Sequence, residues 1–531
     1  MQTKKREITV IAVILILQTL IYLICGGLKS YIHMDEAYSL GLSNYHQVEI
    51  QLDEDFYDNW HSGEYYEDYL ALQEDEYGEY YQVYENQKND VHPPFYYLIL
   101  RFAMGLAPES YTHWHGVIIN IICYAFITLL SYALLKRILK DESHVNEKSA
   151  LFAFLSSLTM ASLSNVLYIR MYALTALNIL LIAYLHVKLR ECTGNKAKWI
   201  VLIGLSALIG SLTHYYYLFY LFALFLYQCY RFIKKNEYKT LRFYILSMAV
   251  AGGLSLLIFP YSIQHMFFGY QGEGFISRLF NLPDMIDNIL NYSWIINEYG
   301  FNNALVFMVI GAIALCCYRK KYRKDIKPLE ETDEEKIITL NSLLIPTFFY
   351  FIIVSAASPW VELRYIAAIC INAFVLVFYY FYRLLKSLWK TETANKVICV
   401  VLSFMFVVFP LVTRQEPQAM YHRERADIVE TIEENAHVPA IYVFNSQDNR
   451  FLDDILLFAK LESSYIAFDK ETTAEYYKSV LKGKDMTEGL FVFINNYQDD
   501  DVILSSLKTA SGLDSCQWIK HLNACNVYYL S

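Results

Sequence analysis

The strongest constraint on the fold of this chain is a series of apolar runs, each long enough to cross a lipid bilayer as a helix. The runs lie at about residues 8–26, 113–135, 149–167, 171–187, 198–213, 215–232, 242–262, 302–318, 337–357, 365–385 and 396–412. A helix of about 20 residues spans the hydrocarbon core of a bilayer. The chain is also 55% hydrophobic, which is too apolar for a soluble protein of 531 residues. The sequence therefore predicts a polytopic α-helical membrane protein with about 11 transmembrane helices.

The loops between these runs differ in their content of Lys and Arg. Basic residues are concentrated in alternate loops, at 136–148, 188–198, 231–242, 319–327 and 383–396. Loops rich in Lys and Arg stay in the cytoplasm, so we expect a cytoplasmic N-terminus and an outer location for residues 28–112 and for the C-terminal tail. The short apolar segment at 95–107 is predicted to lie in the outer interface as a helix. The expected location is the plasma membrane of a bacterium, crossed many times.

The chain divides into two predicted domains. Residues 1–412 form the membrane domain, with 28–112 as its first outer loop, and residues 413–531 follow as a tail. In the tail, short apolar strands alternate with amphipathic helices, which predicts a small extracytoplasmic α/β domain. The first predicted strand of the tail is not followed by a glycine-rich turn, so nothing indicates a nucleotide cofactor. The net charge of −10 excludes nucleic acid as a partner.

An acidic pair, Asp35 and Glu36, follows the first apolar run. Burying a carboxylate close to hydrocarbon is costly unless it faces a polar cavity, so such a pair marks a functional site by default. The alternative is that both carboxylates simply begin a hydrated loop. From position alone the two interpretations are equal.

Further polar positions fall at the outer ends of several predicted spans, and their convergence favours the functional interpretation. A single arginine at such a place could reach the interface by snorkelling, but that does not explain the whole set. The set consists of Asp35, Glu36, His92, Tyr168, Arg170, Tyr172, His214, Tyr215, Tyr216, Glu362, Arg364 and Tyr365.

At these residues the sequence resembles the GT-C superfamily of membrane glycosyltransferases. The resemblance is to the protein mannosyltransferase-like family (glycosyltransferase family 39) and its aminoarabinose transferase-like relatives, and it covers about residues 1–400. One departure is His113-Trp114-His115-Gly116, where many relatives carry an Arg-Leu-Pro-Ser-type stretch. The matching motifs are Met34-Asp35-Glu36-Ala37-Tyr38, His92-Pro93-Pro94-Phe95-Tyr96-Tyr97-Leu98, Arg170-Met171-Tyr172-Ala173-Leu174 and Thr213-His214-Tyr215-Tyr216.

This resemblance implies transfer of a hexosyl or pentosyl group from a polyprenyl-phosphate donor, with inversion, to a glycan, lipid or protein outside the membrane. An acceptor hydroxyl must lose a proton as it attacks, and Asp35 is expected to be the base, with Glu36 beside it. The departing phosphate needs cationic donors, expected to be Arg170 and Arg364 with His92. The remaining expected substrate contacts are Tyr168, Tyr172, His214, Tyr215 and Glu362.

Other interpretations stay open at this stage. A lipid-linked glycan flippase or transporter would also place charges in membrane helices, although transporters favour internal repeats and broken helices at mid-bilayer. An adhesion or sensing protein would need only one span as an anchor, and a different membrane enzyme would not need the Asp-Glu motif. No organic cofactor is expected, and no metal site is predicted. A divalent cation is left open because one acidic pair supplies too few ligands.

Overall fold

The computed structural model describes residues 2–44, 50–53, 55–268, 270–322, 331, 333–389, 391–420, 422–445, 450–468 and 473–531. It forms two compact units. Unit 1 comprises Met1–Gly26, Val91–Tyr96 and Val117–Gln418, and unit 2 comprises Gly27–Asp90, Tyr97–Gly116 and Ala419–Ser531.

Helices dominate the described part of the chain. They are α1 Gln2–Gly27, α2 Met34–Asn44, α3 Gly63–Leu70, α4 Tyr80–Asn89, α5 Phe95–Met104, α6 Trp114–Ile138, α7 Val145–Ser157, α8 Met160–Leu167, α9 Tyr172–Glu191, α10 Ala197–Ser211, α11 Tyr217–Lys234, α12 Tyr238–Ile258, α13 Ser262–Phe267, α14 Tyr270–Leu279, α15 Leu282–Ile295, α16 Leu305–Tyr322, α17 Glu334–Ala357, α18 Leu363–Leu388, α19 Glu392–Val412, α20 His422–Glu434, α21 Ile455–Phe458, α22 Ala474–Val480 and α23 Asp500–Ser511. Short 3-10 turns lie at Ile50–Leu52, Glu74–Glu76 and Arg450–Asp453, and a π-helical turn at Ile296–Gly300.

The predicted apolar runs all fall on helices, but fewer than eleven are long, straight and apolar enough to cross a membrane by themselves. Among the described residues seven helices meet that requirement, or up to nine if each of two bent pairs is one span. The bent pairs are α7 with α8, at 60°, and α15 and its π-turn with α16, at 99°. Helix α10 has only 15 residues, about 22 Å of rise. The prediction of a polytopic helical membrane protein is confirmed, and the number of crossings stays a prediction.

Helices α9 and α18 lie at the centre of unit 1. In the apolar stretch of each of these two helices 78% of the residues are buried, compared with 17% in α12. Helix α18 packs on α9 and α17, and α10 packs on α9 and α12. The break between α7 and α8 is held by Asn302, whose amide oxygen accepts from the Met160 backbone at 2.7 Å and whose amide nitrogen donates to the Phe406 carbonyl at 3.0 Å. A side chain thus satisfies the backbone group that the bend exposes.

The loops predicted to face the cytoplasm are joined by ion pairs. Glu142 accepts from Lys148 at 3.0 Å and from the Tyr382 hydroxyl at 2.9 Å, and it also pairs with Lys386. Lys140 contacts Asp333 at 2.8 Å. These contacts connect α6, α7, α17 and α18 at one end of unit 1.

Unit 2 is built on a six-stranded mixed sheet. The strands are β1 Trp60–His61, β2 Ala440–Val443, β3 Ser464–Ala467, β4 Leu490–Asn495, β5 Cys516–His521 and β6 Cys525–Leu530, in the order β1-β3-β2-β4-β6-β5. Strands β3, β2 and β4 are parallel, and β6 and β5 continue the sheet antiparallel. The strands of the tail and the helices between them therefore form an α/β fold.

Both faces of the central strands are covered, as expected for parallel strands that are hydrophobic throughout. Ile441 and Val492 point into a cluster with Tyr477 of α22 and Leu507 of α23. On the opposite face of the sheet, the Tyr442 ring packs against Phe451, Phe458 and Phe493 at ring-centroid distances of 5.1 to 6.5 Å.

Most of the first outer loop, within Gly27–Asp90 and Tyr97–Gly116, belongs to the same unit as the tail, whereas the sequence analysis counted it with residues 1–412. Strand β1 pairs antiparallel with β3, with Trp60 opposite Tyr465. The Trp60 indole also donates to the Val480 carbonyl at 3.2 Å, and Phe56 packs on Phe451 with ring centroids 5.2 Å apart. The sequence could not indicate this pairing because a strand of two residues leaves no periodic pattern.

We expect the pairing of β1 with β3 to allow a disulfide in a Trp60→Cys/Tyr465→Cys variant. Residues directly opposite on antiparallel strands have Cα atoms about 4.5–5.5 Å apart, within the range for a disulfide. The matched control is Trp60→Cys with Ile441→Cys, because β2 lies one strand further, at about 10 Å. In a cysteine-free background, mild oxidation followed by peptide mass spectrometry should find the cross-link in the first variant only. Equal cross-linking in both would contradict the register.

Candidate active site

The acidic pair begins helix α2, and its two carboxylates have different surroundings. Glu36 occupies the third position of the helix, and its Oε2 accepts from the His33 backbone N–H at 2.8 Å. This is half of a capping box, in which the side chain at the third position satisfies an unpaired donor at the helix start. Glu36 therefore holds the first turn of α2 in place.

The carboxylate of Glu36 also forms a buried ion pair with Lys29. The Lys29 ammonium lies 3.1 Å from Glu36, and both side chains are 0% exposed. Lys29 donates in addition to the Ala419 carbonyl at 2.5 Å. Burial lowers the pKa of Lys29, and Glu36 opposes that shift. Two charges removed from water in this way depend on each other, because either one alone would be an uncompensated buried charge.

Asp35 is placed differently, although it is the adjacent residue. Its side chain keeps 17% of its exposure, and its Oδ2 lies 3.8 Å from the His33 Nδ1. The Asp35 backbone N–H donates to the same imidazole nitrogen at 3.1 Å. A carboxylate that remains accessible at a helix N-terminus can receive a proton from a bound molecule. Of the two carboxylates, Asp35 is the one suited to act as a base.

In unit 1 a second group of predicted site residues surrounds His214, in the connector between α10 and α11. Its ring centroid lies 6.2 Å from that of His92 and 5.4 Å from that of Tyr172. Burial, followed by the charges of His92 and Arg170, lowers the pKa of His214 well below its usual value. The Tyr216 N–H donates to His214 Nδ1 at 3.0 Å. The neutral ring then carries its proton on Nε2, as a hydrogen-bond donor.

Both predicted arginines belong to this group. Arg170 lies between α8 and α9 and is 5% exposed. Arg364, in the first turn of α18, donates from Nη1 to the Tyr168 hydroxyl at 3.1 Å. The Tyr168 ring stacks on Tyr172 with centroids 6.0 Å apart. Six predicted residues thus gather where α5, α8, α9, α10, α11 and α18 begin or end. We call this set, His92, Tyr168, Arg170, Tyr172, His214 and Arg364, the cationic cluster.

Two further predicted residues, Tyr215 and Glu362, contact residues outside this cluster. The Tyr215 hydroxyl forms a hydrogen bond with Nδ1 of His265, in α13, at 2.9 Å. Glu362 occupies the residue before α18 and is exposed, and its backbone N–H donates to the Tyr292 hydroxyl at 3.4 Å. The partners in these two contacts, His265 and Tyr292, are not members of the cationic cluster.

The sequence analysis assigned no role to other residues that border the cationic cluster. The Tyr365 ring lies 5.2 Å from the Arg364 guanidinium carbon and 5.7 Å from the Tyr216 ring. Arg278 interacts electrostatically with Tyr216 and donates to the Ala357 carbonyl at 2.9 Å. Tyr216 was part of a sequence motif and Tyr365 of the set of polar positions at predicted helix ends. Arg278, in α14, had no signal because a lone arginine is unremarkable.

No group of three or more His, Cys, Asp or Glu residues within the described ranges is arranged to hold a metal ion. Unit 2 contains a cavity of about 290 Å³ that is lined by charged, aromatic and aliphatic side chains. The first outer loop and the tail both line it, with Lys29, Tyr31, Glu67, Tyr111, His113 and Lys460 among its walls. Aromatic rings and carboxylates of this kind suit hydroxyl-rich ligands.

The overall structure is similar to that of ArnT from Cupriavidus metallidurans in the apo state, an aminoarabinose transferase. The similarity covers 100% of this chain and 98% of that chain, at 10% sequence identity and a TM-score of 0.50. The chain has the GT-C fold. The resemblance found in the sequence is therefore confirmed at the level of the fold.

Two further solved structures are similar at lower scores. ArnT from the same organism bound to undecaprenyl phosphate matches with a TM-score of 0.48 and 11% identity, over 98% of this chain and 97% of that one. The archaeal oligosaccharyltransferase AglB from Archaeoglobus fulgidus, in complex with an inhibitory peptide and a dolichol-phosphate, matches with a TM-score of 0.43 and 11% identity, over 96% and 72%. By sequence, neither a family profile nor a curated protein matches the chain.

The different surroundings of the two carboxylates predict different effects on stability. Glu36→Gln leaves the Lys29 ammonium buried without its carboxylate, which costs about 3–5 kcal/mol and should lower the Tm by roughly 6–20 °C. Asp35→Asn removes only a favourable charge at a helix N-terminus, worth about 0.3–1 kcal/mol. Thermal unfolding of the two isosteric variants measures this difference. Equal Tm values would contradict the assignment of Glu36 to the buried pair.

Proposed function

We propose that the protein transfers a sugar from a polyprenyl-phosphate donor to an extracytoplasmic glycan, lipid or protein, with inversion at the anomeric carbon. The observation that carries this proposal is the contrast within the acidic pair. Glu36 is fully committed to Lys29 and to the helix start, while Asp35 stays accessible. A GT-C fold with one accessible carboxylate at this position fits a reaction that needs a single base.

In the proposed reaction Asp35 accepts the proton of the acceptor hydroxyl as that oxygen attacks the anomeric carbon. The bond between this carbon and the phosphate oxygen breaks on the opposite face, which inverts the configuration. The leaving group is the polyprenyl phosphate. The proton resides on Asp35 at the end of the step and returns to solvent afterwards.

The cationic cluster is the proposed contact for the donor phosphate. Arg170 and Arg364 supply planar forks that match phosphate oxygens, and the neutral His214 supplies an Nε2–H. A buried guanidinium is costly, so an anionic ligand beside it gains a charge-assisted hydrogen bond that water would weaken elsewhere. ArnT, which shares the fold, has been crystallised with undecaprenyl phosphate. That ligand has the charge and the lipid chain that the proposal requires.

The cavity of unit 2 is the proposed place for part of the acceptor. Its tyrosines could stack on a sugar ring, and Glu67 could accept hydroxyl hydrogen bonds. The volume of about 290 Å³ is at the lower end for small-molecule sites, about 300–1,000 Å³. It fits a small polar group better than a long lipid.

We expect Asp35→Asn to lower turnover by about 10²–10⁴-fold while binding of undecaprenyl phosphate is retained, because the variant loses the base but keeps its shape. The measurement is turnover of a panel of polyprenyl-phosphate sugars by the purified full-length protein. The control is Asp500→Asn, an Asp in α23 that bonds Tyr528 and Asn526. Near-wild-type turnover in Asp35→Asn would show that Asp35 is not the base. If wild-type protein moves a lipid-linked glycan across vesicles without transfer, the flippase alternative is correct.

We also expect Arg170→Ala and Arg364→Ala to weaken the donor interaction by about tenfold or more, since a hydrogen bond to a charged group is worth about 1.5–3 kcal/mol. Lys at either position should restore only part of it, because the ammonium lacks the planar fork. The measurement is the dependence of turnover on donor concentration at saturating acceptor. Arg231→Ala is the control, because Arg231 pairs with Glu334 at 2.8 Å in a loop predicted to be cytoplasmic. If both alanine variants keep the wild-type dependence on donor concentration and only have a lower Tm, the two arginines are structural.

A further inference from the structure

The segment that leads into the acidic pair is hydrogen-bonded to the tail through Lys29, Ser30, Tyr31 and Met34. Lys29 donates to the Ala419 carbonyl at 2.5 Å, and the Ser30 N–H to the Met420 carbonyl at 3.2 Å. The Tyr31 hydroxyl donates to Asp454 Oδ1 at 2.6 Å. All of these residues lie in unit 2. The chain is therefore held on the tail just before Asp35.

The last of these bonds reaches the first residue of α2. The Met34 backbone N–H donates to Asp453 Oδ1 at 2.6 Å, and Asp453 is 3% exposed. The first N–H groups of a helix have no partner within the helix and need an external acceptor. The Asp453 carboxylate satisfies one of them, at the residue that directly precedes Asp35.

The neighbouring Asp454 is anchored from several directions. Arg425 Nη1 donates to its Oδ1 at 2.8 Å, with the two side chains 1% and 0% exposed. The Cys525 thiol donates to its Oδ2 at 3.3 Å. The Arg425 guanidinium carbon lies 3.9 Å from the Tyr31 ring centroid. Tyr31 is thus fixed by a hydrogen bond at its hydroxyl and by a cation on its ring face.

We propose that Asp453 and Asp454 of the tail are positioning residues for Asp35, so that the tail is part of the transfer machinery and not an accessory domain. Asp453 holds the helix start by accepting from Met34, and Asp454 holds Tyr31 three residues earlier. Neither carboxylate needs to touch a substrate. This inference rests on the proposed function of Asp35 as the base.

A further property of Asp453 agrees with this role. Burial, then the charge of Asp454, raises the pKa of Asp453 to about 7, while the Met34 N–H and Arg425 oppose the shift and Asp35 adds to it. A carboxyl that senses the charge of Asp35 is electrostatically coupled to it. Geometry and coupling both connect Asp453 to the same helix turn.

The test compares Asp453→Ala, which removes the acceptor for the Met34 N–H, with Asp453→Asn, which keeps an oxygen there. Misplacing a reacting group by about 1 Å can cost about 10²-fold. We expect kcat of Asp453→Ala to fall about tenfold to a hundredfold with donor KM unchanged, and Asp453→Asn to recover most of it. Asp500→Asn is the matched control, because Asp500 also accepts from a tyrosine hydroxyl at 2.6 Å within the tail.

Hydrogen exchange of the full-length protein supplies a readout that needs no substrate. Backbone amides 34–37 should exchange faster in Asp453→Ala than in wild type. In Asp500→Asn their exchange rates should equal those of wild type. Exchange and kcat that both match the control would overturn the inference. Wild-type protein that turns over no polyprenyl-phosphate sugar would refute the proposed function instead, and faster exchange would still support the role of Asp453 at the helix start. If Asp453→Ala does not fold, Asp453→Leu, which also removes the acceptor but is close to Asp in size, takes its place in the same comparison.

Discussion

The buried pair of Lys29 and Glu36 is the interaction on which the candidate site depends. Both charges are removed from water, and each would cost several kcal/mol without the other. Glu36 also closes the first turn of α2, so the same carboxylate connects the end of α1 with the start of α2. A conformation of this segment that separates the pair leaves two uncompensated charges. The backbone around Asp35 is therefore limited to a narrow range of conformations.

The local elements could be predicted from the sequence because their signals are local. Each apolar run became a helix or a bent pair of helices, since a backbone in hydrocarbon must satisfy its own hydrogen bonds. The tail strands were predicted because short apolar runs alternate with amphipathic segments. Strand β1 was missed, and with it the union of the first outer loop with the tail. Its pairing with β3 joins residues about 400 positions apart, and no local pattern reports such a contact.

The same distinction applies to the candidate site. The cationic cluster was predicted because helix ends on one side of a membrane share a surface, so the topology alone placed Arg170, His214 and Arg364 near one another. Asp453 and Asp454 gave no such signal. Acidic residues in a polar loop are common, and only the structure shows that these two are 3% and 0% exposed. Tyr215 belongs to a predicted motif, and the hydrogen bond from its hydroxyl to His265 could not be predicted because the two residues are 50 positions apart.

The different roles of Asp35 and Glu36 follow from helix geometry. With 3.6 residues per turn, adjacent side chains on α2 point about 100° apart, so both carboxylates cannot enter one buried pocket. The side of α2 that carries Glu36 faces Lys29, and burial there is compensated by an ion pair. Asp35 is rotated away and keeps part of its exposure. A pair of adjacent acids at a helix start thus provides one carboxylate to fix the helix and one to react. The bonds from Tyr31 and Met34 to the tail hold the residues just before Asp35, which agrees with the proposed positioning of this carboxylate by the tail.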